Sequence, residues 1–110
     1  MNIACEEYDQ VAVVTIDGEL STDTLEVFKR TIQENLKIGH IFFVIVFEKI
    51  SFIDSQGLEA LLWLKDECES RQGQVKLVGL DETQAKILAM TRLDHCFDIH
   101  GQIVQAVKSF

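Results

Sequence analysis

The sequence has no proline and only three cysteines among its 110 residues. Cys5, Cys68 and Cys96 are far apart, and no two of them form a CxxC pair. An odd number of well-separated thiols is typical of reduced cysteines that pack as small apolar side chains. We therefore expect buried or half-buried structural thiols rather than redox or catalytic ones.

Long apolar segments are also missing. The longest apolar run, residues 41–47, is far shorter than the roughly 20 residues that a membrane-spanning helix needs. The first ten residues, MNIACEEYDQ, begin polar and acidic, unlike a signal peptide. With 110 residues there is room for one small domain. We expect a single domain over residues 1–110, located in the cytoplasm and not inserted in a membrane.

Basic side chains are scarce. Lysine and arginine total 10 against 18 acidic residues, which gives a formal net charge of −8. Proteins that bind nucleic acids rely on clustered basic side chains to neutralise phosphates. The composition therefore argues against a nucleic-acid partner and is compatible with a basic protein partner.

The glycine motifs of common enzyme sites are absent too. The sequence has no GxGxxG, GxxxxGK[ST] or GxSxG, so dinucleotide, P-loop and nucleophile-elbow sites are not indicated. His40, His95 and His100 lack the spacing of metal ligands, and we expect them to face solvent from loops or turns. No enzyme activity, cofactor or metal is predicted.

The most informative stretch runs from residue 41 to residue 62. Its apolar run, Ile41–Phe47, is rich in β-branched and aromatic residues and predicts a strand buried on both faces. The leucines at 58, 61 and 62 have the spacing of a buried helical stripe. Between them, Asp54-Ser55-Gln56-Gly57 forms a loop that places the Ser55 hydroxyl at the start of a helix.

The rest of the chain predicts alternating helices and strands after an opening hairpin. Residues 11–17 alternate as a strand with one well-buried face, and Gly18-Glu19-Leu20 interrupts the pattern. The further predicted elements are a first strand at 3–7, helices from 21–23 to Gly39 and over 56–71, a strand at 75–80, a helix opened by Asp81 and Gln84, an edge strand within 93–99 and a helix over 103–110. Such alternation implies parallel strands with crossover helices. We predict an α/β fold with a mixed, mostly parallel sheet opened by a hairpin and about four helices.

Two interpretations of Ser55 are open from the residues alone. Asp54 and Ser55 could simply cap the helix, which contributes on the order of 1 kcal/mol. Alternatively, the loop leaves the carboxyl end of a central parallel strand, where open α/β sheets place their working groups. A phosphoryl group on Ser55 would meet the positive end of the helix and add about −1.5 to −2 charges beside Asp54. A partner that buried this loop would then bind less well.

Three stretches together resemble a known family: Gly18-Glu19-Leu20, Phe52-Ile53-Asp54-Ser55-Gln56-Gly57-Leu58 and Leu93-Asp94-His95-Cys96-Phe97-Asp98-Ile99. They resemble STAS domains, most closely the small bacterial anti-sigma-factor antagonists. The resemblance implies that the unphosphorylated protein binds an anti-sigma factor that is also a serine kinase, and so frees the sigma factor. It implies phosphorylation at Ser55, which ends the complex, and a serine phosphatase that resets it. The implied partner contacts are Ser21, Asp54, Ser55, Gln56 and Gly57.

Three positions depart from the family pattern. Ser21 and Val46 stand where the family often has aspartate, and Gln56 stands where a small residue is common. We expect Ser21 and Gln56 to lie near Ser55, where they would change the kinase contact. The departures keep an alternative open: a STAS interaction module that does not switch, acting as a scaffold or as the accessory subunit of a membrane-associated complex.

Overall fold

The chain opens with an antiparallel hairpin, β1 (Asn2–Tyr8) and β2 (Val11–Leu20), in a computed structural model that describes residues 1–110. The elements that follow are α1 (Leu25–Lys37), β3 (Phe42–Val46), β4 (Ile50–Ile53), α2 (Ser55–Glu69), β5 (Gln74–Val78), α3 (Glu82–Met90), β6 (Asp98–His100) and α4 (Ile103–Lys108), with 3₁₀ turns at Thr22–Thr24 and Leu93–His95. No helix is both long and apolar enough to cross a membrane. The predicted α/β class, opening hairpin and four helices are confirmed.

The sheet is mixed and mostly parallel, as predicted. Its strand order is β1-β2-β3-β5-β6, and only the β1–β2 pair is antiparallel. β4 continues the direction of β3 and pairs in parallel with the end of β2. All of the crossover loops that follow parallel strands therefore gather at one edge of the sheet, which we call the carboxyl edge.

The predicted interruption at Gly18-Glu19-Leu20 is confirmed only in part: the strand continues, but its register shifts between Gly18 and Glu19. These residues belong to β2 and pair with β4, with Gly18 opposite Ile50 and Leu20 opposite Ile53. The partner strand β4 has only four residues and follows a polar turn, so the sequence shows too little periodicity for β4 to be recognised locally. The pairing partner, more than 30 residues away, makes both segments strands.

β2 is buried on both faces, and the prediction of a single well-buried face is wrong. Ala12, Val14 and Ile16 lie in a core of 18 residues shared with α1, α2 and α3. Val11 and Val13 lie in a second core of 6 residues shared with Ala106 of α4. Because helices cover the sheet on both sides, a central strand must be apolar on both.

The ends of the helices follow their capping residues. At α3, Asp81 Oδ1 accepts from Gln84 N at 2.7 Å and Gln84 Oε1 accepts from Asp81 N at 3.0 Å, so the predicted capping box is confirmed. α2 is shorter at its end than predicted, because Gln72 adopts a left-handed conformation with φ of 64°. A Cβ on Gly73 would lie 1.9 Å from the carbonyl oxygen of Ile41, so only glycine fits there.

Two predictions about side-chain exposure are wrong in part. His95 is exposed, but His40 and His100 are half-buried, each beside a carboxylate: Glu7 at 3.2 Å and Asp98 at 3.1 Å. Cys68 is buried as expected, and desolvation raises the pKa of its thiol to about 12. Cys5 and Cys96 are exposed, because Cys5 lies in the outer strand β1 and Cys96 lies just before β6, the outer strand on the other side of the sheet.

Candidate partner-binding site

Ser55 is the first residue of α2 and lies at the carboxyl edge of the sheet. It follows β4, so the prediction that its loop leaves the long central strand is wrong; β3 ends nine residues earlier, at Val46. The Ser55 side chain is exposed, and its hydroxyl makes no hydrogen bond to the protein. The helix cap is Asp54, not Ser55. The interpretation in which Asp54 and Ser55 cap the helix is therefore confirmed for Asp54 and wrong for Ser55.

Asp54 joins two segments of the edge. Its Oδ1 accepts from the backbone N–H of Gly57 at 2.9 Å. Its Oδ2 accepts from both the backbone N–H and the hydroxyl of Thr22, each at 3.0 Å. These donors, Thr22 first, hold the pKa of the Asp54 carboxyl below its usual value. The carboxylate therefore fixes the start of α2 against the turn that precedes α1.

Gly57 is the point of closest approach between α2 and β2. It is buried, and a Cβ there would lie 2.1 Å from the carbonyl oxygen of Leu20. No real side chain tolerates that distance. Glycine at this position lets the first turn of the helix lie directly on the end of the strand, which sets the height of Ser55 above the sheet.

The three positions that depart from the family pattern have different surroundings. Ser21 is only 3% exposed, and its hydroxyl donates to Glu19 Oε1 at 3.4 Å. It precedes Thr22, so it is joined to Ser55 through the Thr22–Asp54 bonds without offering its own side chain to a partner. Gln56 is exposed beside Ser55. Val46 is buried in the smaller core, away from the surface.

An apolar residue that sequence reasoning passed over also lies at this edge. Phe52 in β4 is 53% exposed, although its neighbour Ile50 is buried. It lines a groove of about 300 Å³ between β4 and α3. Strand alternation would place Phe52 on the same face as the buried Ile50, so the local sequence carries no signal that Phe52 is exposed. No group of histidine, cysteine, aspartate and glutamate side chains here or elsewhere has a geometry that could hold a metal.

The family model of the STAS domain matches residues 2–108. The chain belongs to the STAS domain family. A candidate anti-sigma factor antagonist of Thermotoga maritima is 26% identical over 101 residues, which cover 91% of this chain and 89% of that protein. The family that the sequence motifs suggested is therefore confirmed.

Solved structures of STAS proteins have the same fold. The crystal structure of a candidate anti-sigma factor antagonist from Thermotoga maritima superposes with a TM-score of 0.92 at 23% identity, over 97% of this chain and 92% of that one. The Bacillus cell fate determinant SpoIIAA in its phosphorylated form superposes with a TM-score of 0.76 at 22% identity, over 98% of each chain. At these identities the structures establish the fold alone.

Proposed function

We propose that this STAS domain is an anti-sigma-factor antagonist switched by phosphorylation of Ser55. In this proposal it acts in the cytoplasm as a binding module and a kinase substrate, not as a catalyst. The unphosphorylated form binds an anti-sigma factor that is also a serine kinase, and the sigma factor is released. Phosphorylation of Ser55 ends the complex, and a serine phosphatase restores the binding form.

The observation that carries the proposal is the free hydroxyl of Ser55. It is exposed at the first position of α2 and has no partner within the protein, because Asp54 supplies the cap. Phosphorylation there breaks no existing hydrogen bond. The unpaired backbone N–H groups and the positive end of the helix also favour a dianion at this place. The fold can therefore accept the modification locally.

The effect of the phosphate falls on the partner instead. A phosphoserine adds about −1.5 to −2 charges directly beside the Asp54 carboxylate. A basic partner would attract that charge at long range, but a solvent-exposed ion pair contributes only about 0–1 kcal/mol. Burying a phosphate without matched donors costs several kcal/mol. Where the partner covers Ser55 closely, desolvation is therefore the larger effect, and the complex dissociates.

Binding of the cognate kinase to Ser55 variants tests the proposal. Ser55→Ala is expected to bind the kinase and to accept no phosphate, whereas Ser55→Asp is expected to lose at least tenfold in affinity with little change in thermal stability. Ser70→Asp is the matched control, because it adds the same charge at the exposed far end of α2. Normal binding by Ser55→Asp would exclude the switch.

A non-switching STAS module is the second candidate. It is favoured by the burial of Ser21, which replaces the acidic side chain common in the family at the turn that Asp54 holds. For such a module, neither Ser55→Ala nor Ser55→Asp changes association with the partner, and Ser55 carries no phosphate in cells.

A further inference from the structure

The negative charge of the protein is concentrated at the carboxyl edge of the sheet. Residues 17–24, 48–59 and 79–87 contain eight acidic and two basic side chains, a formal charge of −6 out of the chain total of −8. The other 81 residues contain ten acidic and eight basic side chains, a charge of only −2. The acidic residues of the edge are Asp17, Glu19, Asp23, Glu48, Asp54, Glu59, Asp81 and Glu82, and the basic ones are Lys49 and Lys86.

Contacts between these three segments make the edge one surface. The end of β2 pairs with β4, and Glu19 lies directly opposite Phe52 in that pairing. Gly79, which follows β5, lies against Glu48. The buried Gln84 of α3 donates from Nε2 to the carbonyl oxygen of Ile50 at 3.0 Å, which fixes α3 beside β4.

A groove between β4 and α3 brings apolar side chains into this acidic surface. It has a volume of about 300 Å³ and lies between β4 on one side and Asp81, Thr83, Gln84 and Ile87 on the other. Phe52 is half exposed on one wall, and Ile87 is half-buried on the other. The polar atoms of Gln84 are already bonded to Ile50 and Asp81, so the groove offers apolar contact with an acidic rim.

We propose that this groove receives an apolar side chain from a basic segment of the anti-sigma factor. The inference rests on the proposed function. It gives different roles to two parts of the partner-binding surface. The groove selects the partner by an apolar anchor and by complementary charge, while Ser55 decides when that partner binds. An exposed aromatic side chain with a charged rim is the arrangement in which a few central contacts dominate binding and the rim sets the association rate.

Charge decides against a second copy of this chain as the occupant. A second copy would bring its own charge of −8 toward an edge that already carries −6. Opposed surfaces of like charge suppress association. A partner segment that contains lysine or arginine meets the same surface with opposite charge, and electrostatic attraction then speeds the encounter.

Variants of the groove test the inference with the cognate kinase. Phe52→Ser is expected to weaken binding at least tenfold, because the apolar anchor loses its wall. Val104→Ser is the matched control: Val104 is 59% exposed on α4, and this variant should bind within twofold of the wild type. Affinity should also fall as salt rises from 50 to 300 mM, less steeply for Glu82→Gln. Wild-type affinity of Phe52→Ser, or affinity independent of salt, would overturn the inference.

A synthetic peptide separates failure of the groove from failure of the proposed function. The probe is a six-residue peptide with one leucine flanked by arginines, titrated into ¹⁵N-labelled protein. A control peptide has the same leucine flanked by glutamates. We expect the arginine-flanked peptide to change the amide chemical shifts of Phe52, Thr83 and Ile87. We expect no such changes with the control peptide or in the Phe52→Ser variant. Shifts without any kinase binding would support the groove while the proposed function fails.

Two results would reject the groove whatever the kinase does. The first is the absence of peptide shifts in a protein whose kinase still phosphorylates Ser55. The second is concentration-dependent dimerisation, seen by sedimentation, that Phe52→Ser abolishes, because it would assign the groove to a second copy.

Discussion

Two serines, Ser55 and Ser109, differ in the number of hydrogen-bond partners that their hydroxyls have in the protein. Ser55 at the carboxyl edge is exposed, and its hydroxyl has no partner in the protein. The Ser109 hydroxyl, after α4, donates to the carbonyl oxygen of Ala106 at 3.0 Å and contacts the ammonium of Lys76 and Nε2 of His100. Ser109 is exposed as well, but its hydroxyl has three partners in the protein and stabilises the fold, whereas the Ser55 hydroxyl has none and is available to a kinase.

The polar side chains around Lys76 form a network in which each group contacts another group of the protein. Lys76 of β5 is 1% exposed beneath α4, with its Nζ 3.3 Å from Asp98 Oδ2 and 4.3 Å from the centre of the Phe110 ring. His100 and then Lys76 hold the pKa of Asp98 below its usual value. The Asp54 network also lowers a carboxyl pKa, but it stops one residue short of Ser55. The Lys76 cluster therefore stabilises the fold, whereas the Asp54 network leaves the Ser55 hydroxyl free, as the proposed switch requires.

Lys76→Ala has the largest expected effect on stability. It should lower the free energy of unfolding by about 3 kcal/mol, because a cavity opens under α4 and Ser109 loses its cation. Lys76→Met is the matched control, since it keeps the volume; removal of a buried charge then costs about 1 kcal/mol or less, or stabilises. Urea unfolding of both variants measures this, and equal losses in the two would contradict a packing role.

Gly57→Ala should be next in size. In an ordinary helix this change stabilises by about 1 kcal/mol, but here the new Cβ would lie 2.1 Å from the Leu20 carbonyl oxygen. We expect a net loss of about 2 kcal/mol from the clash. Gly101→Ala is the control, since its Cβ would meet nothing nearer than 4.0 Å. Equal unfolding midpoints for the two variants would show that α2 can move freely away from β2.

The two serines themselves should differ by a smaller amount. Ser109→Ala is expected to lower the free energy of unfolding by about 1 kcal/mol, because the hydroxyl contacts a buried cation. Ser55→Ala should stay within about 0.5 kcal/mol of the wild type, as for a surface position without contacts. Thermal and urea unfolding of the pair would refute the contrast if Ser55→Ala proved the more damaging change.

The hydrogen bonds that the Asp54 carboxylate accepts from Thr22 and Gly57 should make the stability of the protein depend on pH. A carboxyl whose pKa is lowered in the folded state stabilises above its unfolded pKa of about 3.9 and loses that contribution as pH falls through the folded pKa. Asp54→Asn keeps a capping side chain but does not titrate. The stability advantage of the wild type over Asp54→Asn should therefore shrink between about pH 5 and pH 2. Both proteins contain Asp98, so the effect of its titration cancels in the comparison. A stability advantage that does not change with pH would argue against an ionised Asp54 carboxylate that accepts these hydrogen bonds.

Much of the fold could be predicted from local pattern. The apolar run before Ser55, the leucine stripe after it and the Asp81–Gln84 capping box each occupy a few consecutive residues, and all three form as expected. The same patterns predicted that α2 starts at residue 56, one residue after its observed start at Ser55. Such features are governed by backbone geometry and periodicity, which a short window of sequence contains.

The remainder depends on contacts between distant residues. β4 is recognisable only through its pairing with the end of β2, and the Asp54–Thr22 bonds join residues 32 positions apart. Nothing in the predicted strand at 75–80 marked Lys76 as buried; its partners Asp98, Ser109 and Phe110 reach it only when the end of the chain folds over the sheet. Local pattern therefore located Ser55 but could not show that Asp54 leaves its hydroxyl free.

Intact-mass spectrometry of the protein from its native cells, with peptide mapping of residues 50–65, tests the central claim most directly. We expect a phosphate of about 80 Da on Ser55 in some growth conditions and its absence in others. The Ser55→Ala protein from the same cells should never carry it. An unmodified Ser55 under every condition, or a phosphate that persists in Ser55→Ala, would contradict the assignment of the switch to this hydroxyl.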